Sequence, residues 1–356
     1  MIPGLGCTST RQLLELCPDP DELFGLSHSQ LIELFGKHTE IAAAIESKSM
    51  FARAEAELRF AEKNNIHVLF CKEEGFPQRL NDADCTDTPV VLYVAGNCNL
   101  NMKRSISVVG SRRATDYGKS TTDQLIAEMS DPELMIVSGL AYGIDTASHR
   151  AALSYRMPTV AVLGHGLDRI YPAQNRELAT QIVMNGGALV TEYTSGTELN
   201  AAYFPARNRI IAALGDATLV VEAAEKGGAL ITAGIAGSYH REVFSVPGRL
   251  TDPYSKGCNN LIANNKATIM RSGDDLYFQM GWKHSPQAQA MQTSMFPELD
   301  KEEQIVVDIL GQLHEATLDE MTATNRLAMP KIVSALLTLE LKKVVRCLPG
   351  KIYKIV

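Results

Sequence analysis

Cations and glycines recur where apolar runs of this chain end. Val108-Val109 leads into Gly110-Ser111-Arg112-Arg113, Ile136-Val137 into Ser138-Gly139, and Leu219-Val220-Val221 into Glu222 and then Lys226-Gly227-Gly228. Leu189-Val190 leads into Thr191-Glu192-Tyr193 and on to Pro205-Ala206-Arg207-Asn208-Arg209. Two further runs end in Gly164-His165-Gly166 and in Pro247-Gly248. These residue types suit phosphate chemistry. Glycine lets backbone N–H groups approach an anion, a following helix offers its positive end, and Arg or Lys completes the site. The Ser111 hydroxyl and the Arg112 fork are expected to hold one phosphate. Lys226 reads as a mobile charge beside two glycines that open a helix. Arg207 and Arg209 cannot share a helix face, so one is expected to face the crevice and the other to pair with an acid. Asn175 follows Tyr171-Pro172 and reads as a helix N-cap, while Tyr171 offers a ring for base stacking or for packing. The candidate phosphate contacts are therefore Gly110, Ser111, Arg112, Ser138, Gly139, Asn175, Arg207, Arg209, Lys226, Gly227 and Gly228.

Catalytic chemistry is harder to find. The glycine order differs from GxGxxG and no Walker sequence occurs, so neither a dinucleotide nor ATP is favoured and no cofactor is expected. His149 and His165 lie near the loops, but no Ser-His-Asp arrangement or carboxylate pair accompanies them. Asp145, Glu192 and Glu222 read as helix caps or as partners that orient Arg207 and Arg209. No residue is assigned a catalytic role. The seven cysteines are scattered, with no CxxC or Cys/His pairing, which points to reduced thiols and to no metal site.

A parallel sheet would bring these loops together, because all its strands leave by one edge. Residues 63 to about 280 alternate strand and helix. Short strands at Ile66–Phe70 and Val90–Val94 precede the six apolar runs, with helical patterns at about 117–129, 143–155, 175–185, 205–213 and 229–239. Near-continuous apolar strands belong to a sheet covered on both faces. The fold class read here is α/β, a doubly wound, Rossmann-like, mostly parallel sheet. Residues 1–62 read as a helical domain opening on a tight Ile2-Pro3-Gly4-Leu5-Gly6 hairpin, and a helix before it is expected outside this chain. Residues 283–297 are polar and aperiodic and read as a linker. Residues 298–356, with three helical patterns and a closing hairpin, read as a winged helix in which Met329 to Lys343 is the recognition-type helix. That module has eight bases against nine acids, so contact with protein and weak contact with DNA are weighed equally.

The whole chain is acidic, with 34 bases, 41 acids and a net charge of −7. That argues against non-specific coating of nucleic acid, though not against a local basic cleft. No apolar run reaches membrane-spanning length and no signal peptide opens the sequence, so a cytoplasmic protein is expected.

The segments Val109-Gly110-Ser111-Arg112, Ser138-Gly139-Leu140-Ala141-Tyr142-Gly143-Ile144-Asp145, Tyr171-Pro172 with Asn175, Pro205 to Ile211, Val221-Glu222-Ala223 and Val246-Pro247-Gly248 together resemble the bacterial DNA-processing protein DprA (Smf) family. The resemblance runs in order over roughly residues 65–270. It implies binding of single-stranded DNA, a homodimer, and loading of the recombinase RecA onto that DNA during natural transformation and recombination, with no enzymatic step. It also assigns Gly110, Ser111, Arg112, Lys226, Gly227 and Gly228 to a phosphate pocket. The chain departs from the family pattern at Gly227-Gly228-Ala229, where Ser-Gly-Ser is expected, and at Ala213-Leu214-Gly215 in place of Gly-Leu-Ser. The first change removes a hydroxyl from the pocket and leaves the backbone donors. The competing reading is a nucleotide-processing enzyme of the phosphoribohydrolase type. Those enzymes place a catalytic Glu on the helix after the diglycine, where residues 229–239 of this chain carry no acid.

Overall fold

The computed structural model describes residues 2, 4–17, 19–36, 39–82, 84–283, 299–313, 315–324, 327–342, 344–348 and 350–355. They fall into two compact units, 1–285 and 286–356. The linker read at 283–297 lies, apart from Lys283, outside the described residues.

The first unit opens with five helices, α1 (Cys7–Leu16), α2 (Pro20–Gly25), α3 (His28–Phe35), α4 (Thr39–Ser47) and α5 (Phe51–Lys63). Leu13, Leu23, Leu31, Ile41 and Ile45 form their small core. The hairpin is present as a turn, with Gly4 at φ +80° and the Leu5 amide donating to the Ile2 carbonyl. The strand–helix repeat follows: β1 (Ile66–Phe70), β2 (Val91–Gly96), β3 (Arg104–Val109), α6 (Asp116–Glu128), β4 (Leu134–Ser138), α7 (Ile144–Ser154), β5 (Thr159–Val162), α8 (Arg176–Met184), β6 (Ala188–Thr191), α9 (Tyr203–Leu214), β7 (Ala217–Val220), α10 (Gly228–Ser238), β8 (Glu242–Ser245), α11 (Lys256–Ala263), β9 (Thr268–Ile269) and α12 (Gly273–Gln279).

The nine strands make one sheet in the order β1-β2-β6-β5-β4-β3-β7-β8-β9. β1 and β2 are antiparallel, and every pair from β6 to β9 is parallel. Every residue of β3 to β7 is buried, which is why these strands read as continuous apolar runs. Alternate residues feed opposite cores. Val109, Met135 and Val137 face α9 and α10, while Ile106, Val108, Leu134 and Ile136 face the side covered by α6, α7 and α12. The sequence reading missed β9, α11 and α12, because residues 252–280 carry short helices and a two-residue strand without a long apolar period.

The sheet reverses direction beside β3. Strands β4, β5 and β6 are laid outward on one side of it, and the chain then returns to place β7, β8 and β9 on the other. The β3/β7 boundary is therefore the topological switch point, where loops part and leave a crevice at the carboxyl ends of the strands.

The helical head is stitched to the sheet. Arg11 on α1 donates to the carbonyls of Thr88, Leu80 and Pro89 and to Asn81 Oδ1 at 2.9–3.1 Å. Glu57 on α5 is buried and accepts from the Ser195 amide at 2.8 Å and its hydroxyl at 2.6 Å.

The second unit contains α13 (Lys301–Leu313), β10 (Ala316–Thr317), α14 (Leu318–Ala323), α15 (Met329–Leu341), β11 (Val345–Leu348) and β12 (Ile352–Ile355). Its three strands order as β10-β12-β11. Val306, Ile309, Leu310, Ile332, Leu336 and Leu339 fill its core, giving the winged-helix arrangement the spacing predicts.

Candidate nucleic-acid interface

The loops after β3 and β7 meet at the switch point. The Ser111 amide donates to the Glu222 carbonyl at 2.7 Å, which holds the two loops side by side. Gly110 is required here by packing, since a Cβ would stand 2.4 Å from Ile144 Cγ1. Gly143 has φ +78° and closes on the same loop, where a Cβ would meet the Ser111 carbonyl oxygen at 2.1 Å. Glu222 is buried and accepts from the Thr115 amide at 2.9 Å and hydroxyl at 2.7 Å, fixing the start of α6. Glu222 therefore orients neither Arg207 nor Arg209; it ties the β7 loop to Thr115, the residue that caps α6.

Above this frame the chain leaves charge free. Arg112 and Lys226 are both exposed, and neither makes an ion pair or side-chain hydrogen bond among the described residues. Arg112 lies 5.8 Å from the centroid of the Phe204 ring, a cation–π distance. Tyr171, itself half exposed, meets the same ring at 5.4 Å. The α10 N-terminus has no side-chain cap and no acid in its first turn. The first amide groups of a helix have no partner within it, and the helix end carries a partial positive charge. A Cβ on Gly227 would meet nothing within 4 Å, so that space is open. One expected donor is lost: the Ser111 amide is spent on Glu222, while the Ser111 hydroxyl oxygen accepts from the Arg113 amide at 3.1 Å.

The remaining candidates sit lower and are already engaged. Ser138 is buried and its hydroxyl donates to the Val108 carbonyl at 2.7 Å. Gly139 packs under Arg207, whose Nη1 donates to the carbonyls of Gly139 and Val162. Arg207 is 3% exposed. Burial pulls its pKa down to about 10, opposed by the nearby Asp145. Asp145 is buried too, and burial raises its pKa against the pull of Arg207. Arg209 forks onto Glu192 with two 2.7 Å bonds. Burial works against its charge, but Glu192 more than offsets this and raises its pKa. Half of the division expected within the Arg-Asn-Arg motif is met: Arg209 pairs with an acid, but Arg207 does not face the crevice, being buried on the carbonyls of Gly139 and Val162. Asn175 stands at the N-cap position of α8 but does not cap it; its amide donates to the Leu140 carbonyl at 2.8 Å and to Thr146 Oγ1 at 2.9 Å.

The histidines are structural. His149 is fully buried, with Nδ1 2.7 Å from Thr159 Oγ1, and burial lowers its pKa to about 3. His165 accepts from the Tyr171 amide at Nε2 and faces the Gly166 carbonyl with Nδ1, a pattern that fixes the neutral Nδ1–H tautomer. Phe204 is the residue that sequence reasoning missed. It precedes the Pro-Ala-Arg-Asn-Arg motif directly, and an aromatic one position from a basic helix start was the available signal.

In the second unit, Lys331 and Lys342 pair with Glu302 and Glu303. The exposed face of α15 is a stripe of Met329, Val333 and Leu337, while the exposed cations Arg346 and Lys354 pair across the β11–β12 hairpin register.

Comparison with known proteins identifies the family. Residues 67–281 match the family described as DNA recombination-mediator protein A, and residues 290–351 match the DprA winged helix domain. Protein Smf of Escherichia coli K12 is 33% identical over 305 residues, covering 83% of this chain and 79% of that protein. The crystal structure of DNA processing protein A (DprA) from Streptococcus pneumoniae superposes with a TM-score of 0.69 at 32% identity, covering 79% of this chain and 95% of that one. A structure of DNA processing protein A from Helicobacter pylori, reported for its single-stranded DNA binding mode, gives 0.54 at 29% identity over 60% of this chain and 95% of that one. With a switch-point crevice of free cations and a family match across most of the sheet unit, this chain belongs to the DNA recombination-mediator protein A (DprA/Smf) family.

Proposed function

We propose that the chain binds single-stranded DNA by gripping its sugar–phosphate backbone at the β3/β7 switch point, and that residues 63–282 form the binding unit. Ser111, Arg112, Lys226 and the amides of Gly227 and Gly228 are the contacts. Ser138, Gly139, Asn175, Arg207 and Arg209 hold the floor on which those contacts stand. The single observation that carries this reading is that Arg112 and Lys226, on the loops after β3 and β7, are exposed cations with no ion-pair partner among the described residues, and that Lys226 stands just before the uncapped N-terminus of α10. The half-exposed Tyr171 ring, packed on Phe204 beside Arg112, favours a single strand over a duplex, because stacking needs an unpaired base. The reported single-strand binding of the Helicobacter pylori relative supports the same choice.

The protein acts on this proposal as a homodimeric, non-enzymatic loader of RecA in recombination and natural transformation, a role in line with the family description of a recombination mediator. A hydrolase reading lacks its acid, since α10 carries none. A polarization titration with single-stranded and duplex oligonucleotides of equal length tests the binding: the single strand binds tighter, with a log–log salt slope of about −0.7 per phosphate neutralised. Equal affinity for the duplex, or no salt dependence, contradicts the reading. RecA filament assembly on single strands, followed with and without the protein, tests the loading step.

A further inference from the structure

A second cavity opens directly beside the Arg112 loop, and nothing in the fold requires it. It is a groove of about 470 Å³ between α6 and α7, lined by Lys119, Asp123, Tyr142, Thr146, Arg150 and Gln174 among others. That volume lies in the range of pockets that hold a small ligand. Gly143 belongs to its wall and also closes on the Ser111–Arg112 backbone, and the Ile144 amide donates to the Ser111 carbonyl at 3.1 Å. The groove is therefore continuous with the rim at Arg112.

The chemistry inside it is selective. Asp123 is the only acid on its lining, and its carboxylate accepts from Tyr155 Oη at 3.1 Å. Lys119 is drawn 3.7 Å from Asp116. Thr146 is used up between Ala141 and Asn175. Arg150 is exposed and makes no ion pair or hydrogen bond among the described residues. Tyr142 is 42% exposed, and its hydroxyl is anchored on Gln174 Oε1, so the ring is held in one place with a face to solvent. A fixed aromatic face beside an unpaired guanidinium matches the combination that single-strand binders use for a base and its phosphate.

We infer that this groove takes the nucleotide next to the one gripped at Gly110–Arg112, with Arg150 on its phosphate and Tyr142 on its base. The inference rests on the single-strand reading above and adds a second subsite to it. Both residues are exposed, so substitution leaves the fold intact, which circular dichroism and melting verify.

The test is a polarization titration of the full chain with labelled thymidine oligonucleotides of increasing length, using Arg150→Ala, Tyr142→Ala, Tyr142→Phe and Arg112→Ala. On the shortest oligonucleotide that binds, Arg150→Ala matches the parent. On longer ones it loses about tenfold and its salt slope becomes shallower by about 0.7. Tyr142→Ala also loses about tenfold on the longer strands, within the range for one stacked base, and Tyr142→Phe, which keeps the ring but not its anchor on Gln174, loses less than Tyr142→Ala. Arg112→Ala loses affinity at every length. If Arg150→Ala and Tyr142→Ala match the parent at all lengths while Arg112→Ala fails, the groove proposal is wrong and the primary grip stands. If Arg150→Ala loses equally at every length, Arg150 belongs to the primary grip and the second subsite is wrong. If Arg112→Ala alone binds normally, the single-strand reading has failed, and the groove is no neighbour of that grip.

Discussion

Two sets of basic residues near the carboxyl ends of the strands have different surroundings. Arg112 and Lys226 stand on the loops after β3 and β7, exposed and without an acidic partner among the described residues. Arg207 and Arg209 stand on α9, one donating to the carbonyls of Gly139 and Val162 and the other forked onto Glu192. The difference lies in what the charge still has to spend. A buried cation spent on carbonyls or a carboxylate rigidifies the site and has little left for a ligand, while an exposed and unmatched one can exchange its water for phosphate. Removing a floor residue should therefore register as lost stability, and removing a rim residue as lost affinity.

The largest effect is expected from Arg207→Met. It strands two carbonyls and leaves Asp145 buried without its nearby cation, at a cost of about 3 kcal/mol in urea unfolding. A loss below about 1 kcal/mol would remove the distinction between floor and rim. Next comes Arg112→Ala or Lys226→Ala. Each breaks charge-assisted bonds to phosphate worth about 2 kcal/mol, or roughly thirtyfold in Kd, with an unchanged melting temperature.

The floor has its own pH signature. His149 is held neutral by burial, its pKa lowered to about 3 from 6.5. Above pH 6.5 neither the folded nor the unfolded state carries that proton, so this group adds no pH dependence. Below it the unfolded chain takes the proton up and the folded protein does not. Stability then falls, by up to about 1.4 kcal/mol per pH unit, until about pH 3. Unfolding measured between pH 7 and pH 5 checks the slope, which His149→Asn should flatten. The smallest effect is expected at Glu57, which holds the loop between β6 and α9 by Ser195. Glu57→Gln should cost about 1 kcal/mol, speed amide exchange across residues 194–200 and lower single-strand affinity a few-fold. Unaltered exchange there would detach the helical head from the crevice.

Much of this was legible in the sequence because burial leaves a direct mark. β3 to β7 are enclosed on both faces, so they read as apolar runs, and the loops that follow them had to meet at one edge. The winged helix was legible through three helical periods and a Pro-Gly turn. Partnership was not legible. Nothing local separates Arg209 from Arg112, because Glu192 lies 17 positions from Arg209 and meets it only once β6 and α9 are packed. Asn175 carried a cap signal, yet its amide is taken by Leu140, 35 positions away. Phe204 and the Tyr142–Arg150 groove were missed for the same reason, since each acquires its meaning from a neighbour that the sheet supplies. The tail was read as open between protein and DNA, and its apolar α15 stripe beside a basic hairpin now puts those two chemistries on different elements of the one module.

The central claim is that unmatched cations on the β3/β7 rim grip the backbone of a single strand. Paired titration and melting of Arg112→Ala, Lys226→Ala and the double variant test it most directly. The account predicts single-strand affinity reduced roughly thirtyfold in each single variant and further in the double, at unchanged melting temperature. Parental affinity in the double variant would contradict it.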